Sequence, residues 1–129
     1  MPKLTIEELI KQKENIKGRK LRTQTLKVDS LGAEIVIQEP KRELALETLE
    51  MAMDDARSDS ADPHIVYHCV IEPNLKDPTL QKEFGCTEPT DIVKMIFRPS
   101  EISSISGHIM ELGGFNGKAV TKINDDLKN

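Results

Sequence analysis

The chain has no tryptophan, one tyrosine and three phenylalanines among 129 residues, so large aromatic rings cannot dominate its core. The core must be aliphatic, with methionine as filler. Cys69 and Cys86 stand apart without a CxxC spacing, which fits small buried thiols in a reducing compartment better than a disulfide or a zinc site. No stretch approaches the roughly 18 consecutive apolar residues of a membrane span, and Met1-Pro2-Lys3-Leu4-Thr5 offers no hydrophobic signal region. These absences point to a cytosolic protein with one core and no redox centre.

Charge is present but uneven. The net value of −4 divides into a basic head, with eight basic and four acidic side chains in residues 1–30, and an acidic body, with ten and eighteen in residues 31–129. Lys11, Lys13, Lys17, Arg19 and Lys20 would suit phosphates, but no aromatic side chains are interleaved to stack on bases and the body repels polyanions. A solvated segment, or one that docks on an acidic partner surface, is the plainer reading; a DNA-binding regulatory protein stays as an alternative.

Periodicity organises the rest. Thr5 and Glu8 form a capping box for a helix from Thr5 to Ile16, stopped by Gly18, whose thin stripe of Ile6, Leu9 and Ile10 predicts a mobile arm. Arg22–Val28 and Ala33–Gln38 alternate at period two around Asp29-Ser30-Leu31-Gly32, the pattern of a β-hairpin that must pack on helices or pair with another copy. From Pro40 to Arg57 the helical period puts Leu46, Leu49, Met53 and Ala56 on one face and Glu43, Glu47, Glu50 and Asp54 on the other. Asp62-Pro63 reads as a helix start after a Ser58–Asp62 loop, with Ile65–Ile71 either helix or buried strand. Asp77-Pro78 opens a short helix ended by Gly85. Two more follow, at Glu88–Phe97 and at Pro99–Leu112, the second with Ile102, Ile105, Ile109 and Leu112 on one side and Gly113-Gly114 as its stop. The fold class is mainly α with one β-hairpin, an α+β chain. It has a basic helical arm at 1–20, a hairpin and about five short helices forming one domain at 21–114, and a flexible tail at 115–129.

Reactive constellations are weak. His64 and His68, four apart beside Cys69, with Cys86 or His108 as further ligands, sketch a metal site. Ile65 stands where a hydrolytic zinc helix needs glutamate, and partly exposed histidines beside a core strip are the better reading. A small metal-binding protein remains the other alternative, while no metal ligand is assigned. Gly113-Gly114-Phe115-Asn116-Gly117-Lys118 is one residue short of a phosphate loop and has Ala119 in place of the magnesium-holding hydroxyl, so a helix cap and hinge fits better. Ser103, Ser104, Ser106 and His108 lie on one helix with no strand-to-helix elbow to present a nucleophile. The expectation is no catalytic residue, no cofactor and no enzyme activity. The hairpin and the aliphatic helix face supply candidate protein-binding residues, Leu26, Val28, Ile35, Ile37, Leu49 and Met53.

The order of segments resembles a known family. Ser30-Leu31-Gly32-Ala33-Glu34-Ile35-Val36-Ile37, Pro40-Lys41-Arg42-Glu43-Leu44, Asp55-Ala56-Arg57-Ser58-Asp59, Val66-Tyr67 and Glu72-Pro73-Asn74-Leu75-Lys76-Asp77 are similar to the XkdN-like tail assembly chaperones of tailed phages and defective prophages. Glu88-Pro89-Thr90-Asp91-Ile92-Val93 and Pro99-Ser100-Glu101-Ile102 extend the likeness, which covers about residues 1–112 and fades after Gly114. The resemblance implies a non-enzymatic chaperone in the cytoplasm of the bacterial host that keeps the tape-measure protein soluble during tail morphogenesis and is absent from the mature virion. The hairpin and the basic arm predict a homo-oligomer, while the resemblance further implies the tail-tube protein and a frameshifted longer form of the chain as additional candidate partners. It carries no catalytic or binding residues to transfer.

Overall fold

A computed structural model describes residues 2–115 together with Val120 and Ile123. The arm forms two short helices, α1 (Ile6–Lys11) and α2 (Lys13–Lys17), broken at Gln12 where one continuous helix was expected. Thr5 caps α1 as predicted: its Oγ1 accepts from the Glu8 N–H at 3.2 Å. No residue of either helix is buried.

The hairpin consists of β1 (Thr23–Val28) and β2 (Ala33–Gln38), joined by a 3-10 turn at Asp29–Leu31. Gly32 closes that turn at φ +59°, a conformation that β-branched or bulky side chains rarely adopt. The strands pair antiparallel from Thr23 opposite Gln38 to Val28 opposite Ala33. A third strand, β3 (Val70–Glu72), pairs antiparallel with β2 through Val36–Glu72 and Ile37–Val70, with an irregularity between the two pairs. The sheet order is β1-β2-β3. The hairpin thus gains a partner strand and helical cover within its own chain.

Five helices make the body: α3 (Arg42–Met53), α4 (Ser58–Cys69), α5 (Pro78–Glu83), α6 (Asp91–Ile96) and α7 (Pro99–Leu112). Asp77 Oδ1 accepts from Leu80 N–H at 2.9 Å and Gly85 takes φ +65°, so the chemistry foreseen for both ends of α5 is present. Several boundaries differ from the sequence pattern. α3 ends at Met53 instead of running to Arg57, so Ala56 lies beyond it. α4 starts at Ser58, not after Asp62, and Pro63 lies inside it; Asp62 instead accepts a 2.7 Å hydrogen bond from Ser106 Oγ of α7. The stretch 63–71 is helix through Cys69 and strand from Val70, so both readings apply to parts of it. α6 begins at Asp91 because that carboxylate accepts from the Thr87 and Glu88 N–H groups, turning the preceding residues into a loop.

The core is one cluster centred on Ile37, Ile65, Val66, Leu75, Ile92, Val93 and Ile109, with Phe97 the buried aromatic ring within it. Methionine contributes less than expected: Met51 is buried, while Met53 and Met95 face solvent. α4 is the hub, since α3, α6, α7 and β3 all pack against it. A hydrogen bond of 2.5 Å from Ser30 Oγ to Glu101 Oε2 ties the hairpin turn to the start of α7, and Glu101 Oε1 also accepts from the Arg98 N–H. Ile109→Ala, which empties a fully buried site, is expected to lower unfolding free energy by about 2–5 kcal/mol in urea denaturation. Met53→Ala at an exposed site should change it by no more than about 0.5 kcal/mol.

Candidate functional site

α3 turns one side to the body and leaves Leu46, Leu49 and Met53 on the side that faces water. Ala45, Thr48 and Met51 are buried, and the Thr48 hydroxyl is satisfied by donating 2.8 Å to the Leu44 carbonyl. Leu46, Leu49 and Met53, at i, i+3 and i+7, therefore form a separate stripe and are 54%, 43% and 87% exposed. They do share one face, as their spacing predicts, but that face is solvent rather than core. Glu43, Glu47 and Glu50 border it at the next helical positions. Past the helix end, Asp54 Oδ2 accepts from Arg57 Nε at 2.8 Å and Asp54 Oδ1 from the Ala56 N–H, contacts that hold its carboxyl below the ordinary carboxylate range. Arg57 also reaches Glu50 at 3.8 Å. The result is a run of apolar side chains along one edge of an acidic helix, the composition of a contact surface that stays soluble while open.

The six residues anticipated as a binding surface do not form one. Val28, Ile35 and Ile37 are buried in the core, because the inner face of the hairpin is covered by the helices, and Leu26 is half-buried against them. Leu49 and Met53 alone of the six reach solvent. Leu46 belongs with them on the same stripe, as its spacing shows. The second unburied apolar stripe lies on α1, where Ile6, Leu9 and Ile10 are all exposed.

The polar candidates are placed as follows. His64 and His68 stack edge to face on α4, with ring centroids 4.8 Å apart. His64 Nε2 lies 2.9 Å from Glu47 Oε1 but without hydrogen-bond alignment. Among the described residues no three His, Cys, Asp or Glu side chains gather to hold a metal ion. Burial, then Lys76 and His64, push the His68 pKa below its ordinary value, with Glu47 acting the other way. Burial pushes the Cys69 thiol up to about 12, so it is a poor nucleophile at neutral pH. Both cysteines are free. Ser104 and His108 line an open, largely polar cleft of about 480 Å³ between β1 and α7. Gly113 caps α7 and Gly114 takes φ +79°, as the cap reading requires; Asn116–Ala119 lie outside the described residues, as does most of the predicted tail. Lys11, Lys13, Lys17, Arg19 and Lys20 are all exposed.

The fold and these surfaces define a small α+β protein with apolar stripes left open on α1 and α3. Among the described residues no helix is long and apolar enough to cross a membrane. The chain belongs to the phage XkdN-like tail assembly chaperone protein family, TAC, whose family model matches residues 3–128. The match continues beyond Gly114, through the segment where the likeness was expected to fade. The family is one of chaperones in phage tail assembly rather than a known class of enzyme. Neither the curated proteins nor the solved structures gave a match.

Two measurements check the electrostatic reading. A His whose folded pKa lies below its unfolded value binds fewer protons when folded, so stability rises with pH between the folded value and about 6.5 and is lost on acidification through that window. His68→Gln should flatten this part of the stability–pH curve, followed by urea denaturation. Under native conditions a thiol alkylating reagent should label the half-buried Cys86 and leave Cys69 unmodified until the chain unfolds.

Proposed function

We propose that this chain binds the tape-measure protein during tail assembly and keeps it soluble, acting without catalysis. The observation that carries this reading is the Leu46–Leu49–Met53 stripe: three large apolar side chains, held in register on a packed helix, left open to water and bordered by carboxylates. A tape-measure protein is a long, largely helical chain whose apolar stripes aggregate when unpaired. A short helical stripe that lies alongside each segment shields it, and many copies on one client act together.

Family membership supports a role in tail assembly. The weak affinity of each small contact suits a chaperone that tail-tube subunits must displace as they polymerise. On this reading the protein works in the host cytoplasm as a homo-oligomer, leaves before the virion is complete, and has the tail-tube protein and a frameshifted longer form as further partners. The acidic edge of α3 selects clients whose apolar stripe is flanked by basic residues.

Co-expression with the tape-measure protein tests the proposal. The client should shift from the pellet to the soluble fraction with the wild-type chain. A Leu49→Glu, Met53→Glu double variant should lose that effect while keeping the wild-type urea midpoint. Equal client insolubility with and without the wild-type chain contradicts the proposal.

A further inference from the structure

The arm and α3 carry complementary halves of one contact. On α1 the side chains of Ile6, Leu9 and Ile10 share a face and are 76%, 43% and 66% exposed. Helices shorter than about 12 residues are marginal in water, and α1 has six residues, so it needs a surface to lie on. The body of its own chain leaves that face uncovered.

The two segments carry opposite net charge. The arm is net basic, with Lys3, Lys11, Lys13, Lys17, Arg19 and Lys20 against Glu7, Glu8 and Glu14. The α3 segment is net acidic: after Lys41 and Arg42 come Glu43, Glu47, Glu50, Asp54 and Asp55 with no Lys or Arg between them. The apolar face of the arm matches the Leu46–Leu49–Met53 stripe in kind, and the basic side chains of the arm are opposite in sign to the carboxylates that border the stripe. Arg57 and His64 approach Glu50, Asp54 and Glu47, yet these carboxylates remain 79%, 43% and 56% exposed and open to a second cation.

We propose that the arm of a second copy of this chain lies along the Leu46–Leu49–Met53 stripe, so that copies associate by exchanging arms. Each arm gains cover for its apolar face, and each stripe is shielded. The proposal deepens the chaperone reading, since the arm then holds the stripe until a client helix displaces it. It stands on this chain's own residues, and its test needs no client.

The test is sedimentation velocity of the full chain over a range of concentrations and salt, with Leu9→Asp as the arm variant and Leu49→Asp as the stripe variant. Both positions are exposed, and circular dichroism with urea denaturation confirms that each variant folds. Lys13→Glu with Lys17→Glu is a second arm variant that leaves the apolar face untouched. Wild-type chains should associate, less so at high salt, and each variant alone should associate at least about tenfold more weakly. An equimolar mixture of the arm and stripe variants should recover association, because the intact arm of one meets the intact stripe of the other.

A wild-type chain that stays monomeric at every concentration overturns the proposal. A mixture that fails to recover points to arm–arm or stripe–stripe contact and also overturns it, as do variants that associate like the wild type. Loss of tape-measure solubilisation with arm exchange intact would remove the chaperone reading alone.

Discussion

Burial of aliphatic side chains around α4 is the constraint on which the molecule depends. Ile65, Val66 and Cys69 face inward from that helix, and the hairpin, α6 and α7 close over them with Ile37, Val93 and Ile109. Each fully buried isoleucine or valine contributes on the order of 1.5–3 kcal/mol, and few large rings are available to replace them. Polar contacts refine the assembly: Ser106 meets Asp62 between α7 and α4, and Ser30 meets Glu101 between the hairpin turn and α7. Both are single bonds across elements distant in sequence, and they orient a core that hydrophobic burial assembles.

The same constraint decides what α3 exposes. α4 packs against α3, whose buried side chains are Ala45, Thr48 and Met51, small at two of three positions. Leu46 and Leu49 are consequently left outside, while Leu44 packs against the core. A helix that needed only to be stable would place Leu46 and Leu49 inward and alanine outward, so the inverted arrangement directs attention to a contact made with another chain. The carboxylates along its edge keep such a stripe soluble.

Where local chemistry sets the structure, the sequence was sufficient to read it. The hairpin with Gly32, the Asp77–Pro78 start of α5, and the inward isoleucines of α7 each follow from a turn, a cap or a period. Where the outcome depends on a distant partner, local signals misled. Asp62-Pro63 has the form of a helix start, but Ser106 takes the Asp62 carboxylate and the helix extends back to Ser58, with Pro63 tolerated six residues in. β3 exists because β2 presents an edge to pair with, which three residues cannot announce by themselves. For the surface, the periodicity of α3 grouped Leu46, Leu49 and Met53, but it added Ala56, which lies past the helix end, and set apart the glutamates that in fact border the stripe; no periodicity states which face the body will cover. Val28, Ile35 and Ile37 failed as surface candidates for the same reason.

The central claim is that the unburied stripe of α3 is where the protein meets its client. Methyl-detected NMR of the isotope-labelled full chain, titrated with the tape-measure protein, tests this most directly. The account predicts that the methyl signals of Leu46, Leu49 and Met53 shift or broaden while those of Ile65, Val93 and Ile109 hold their positions. Perturbation confined to residues away from α3, with the stripe signals unchanged at saturation, would contradict it.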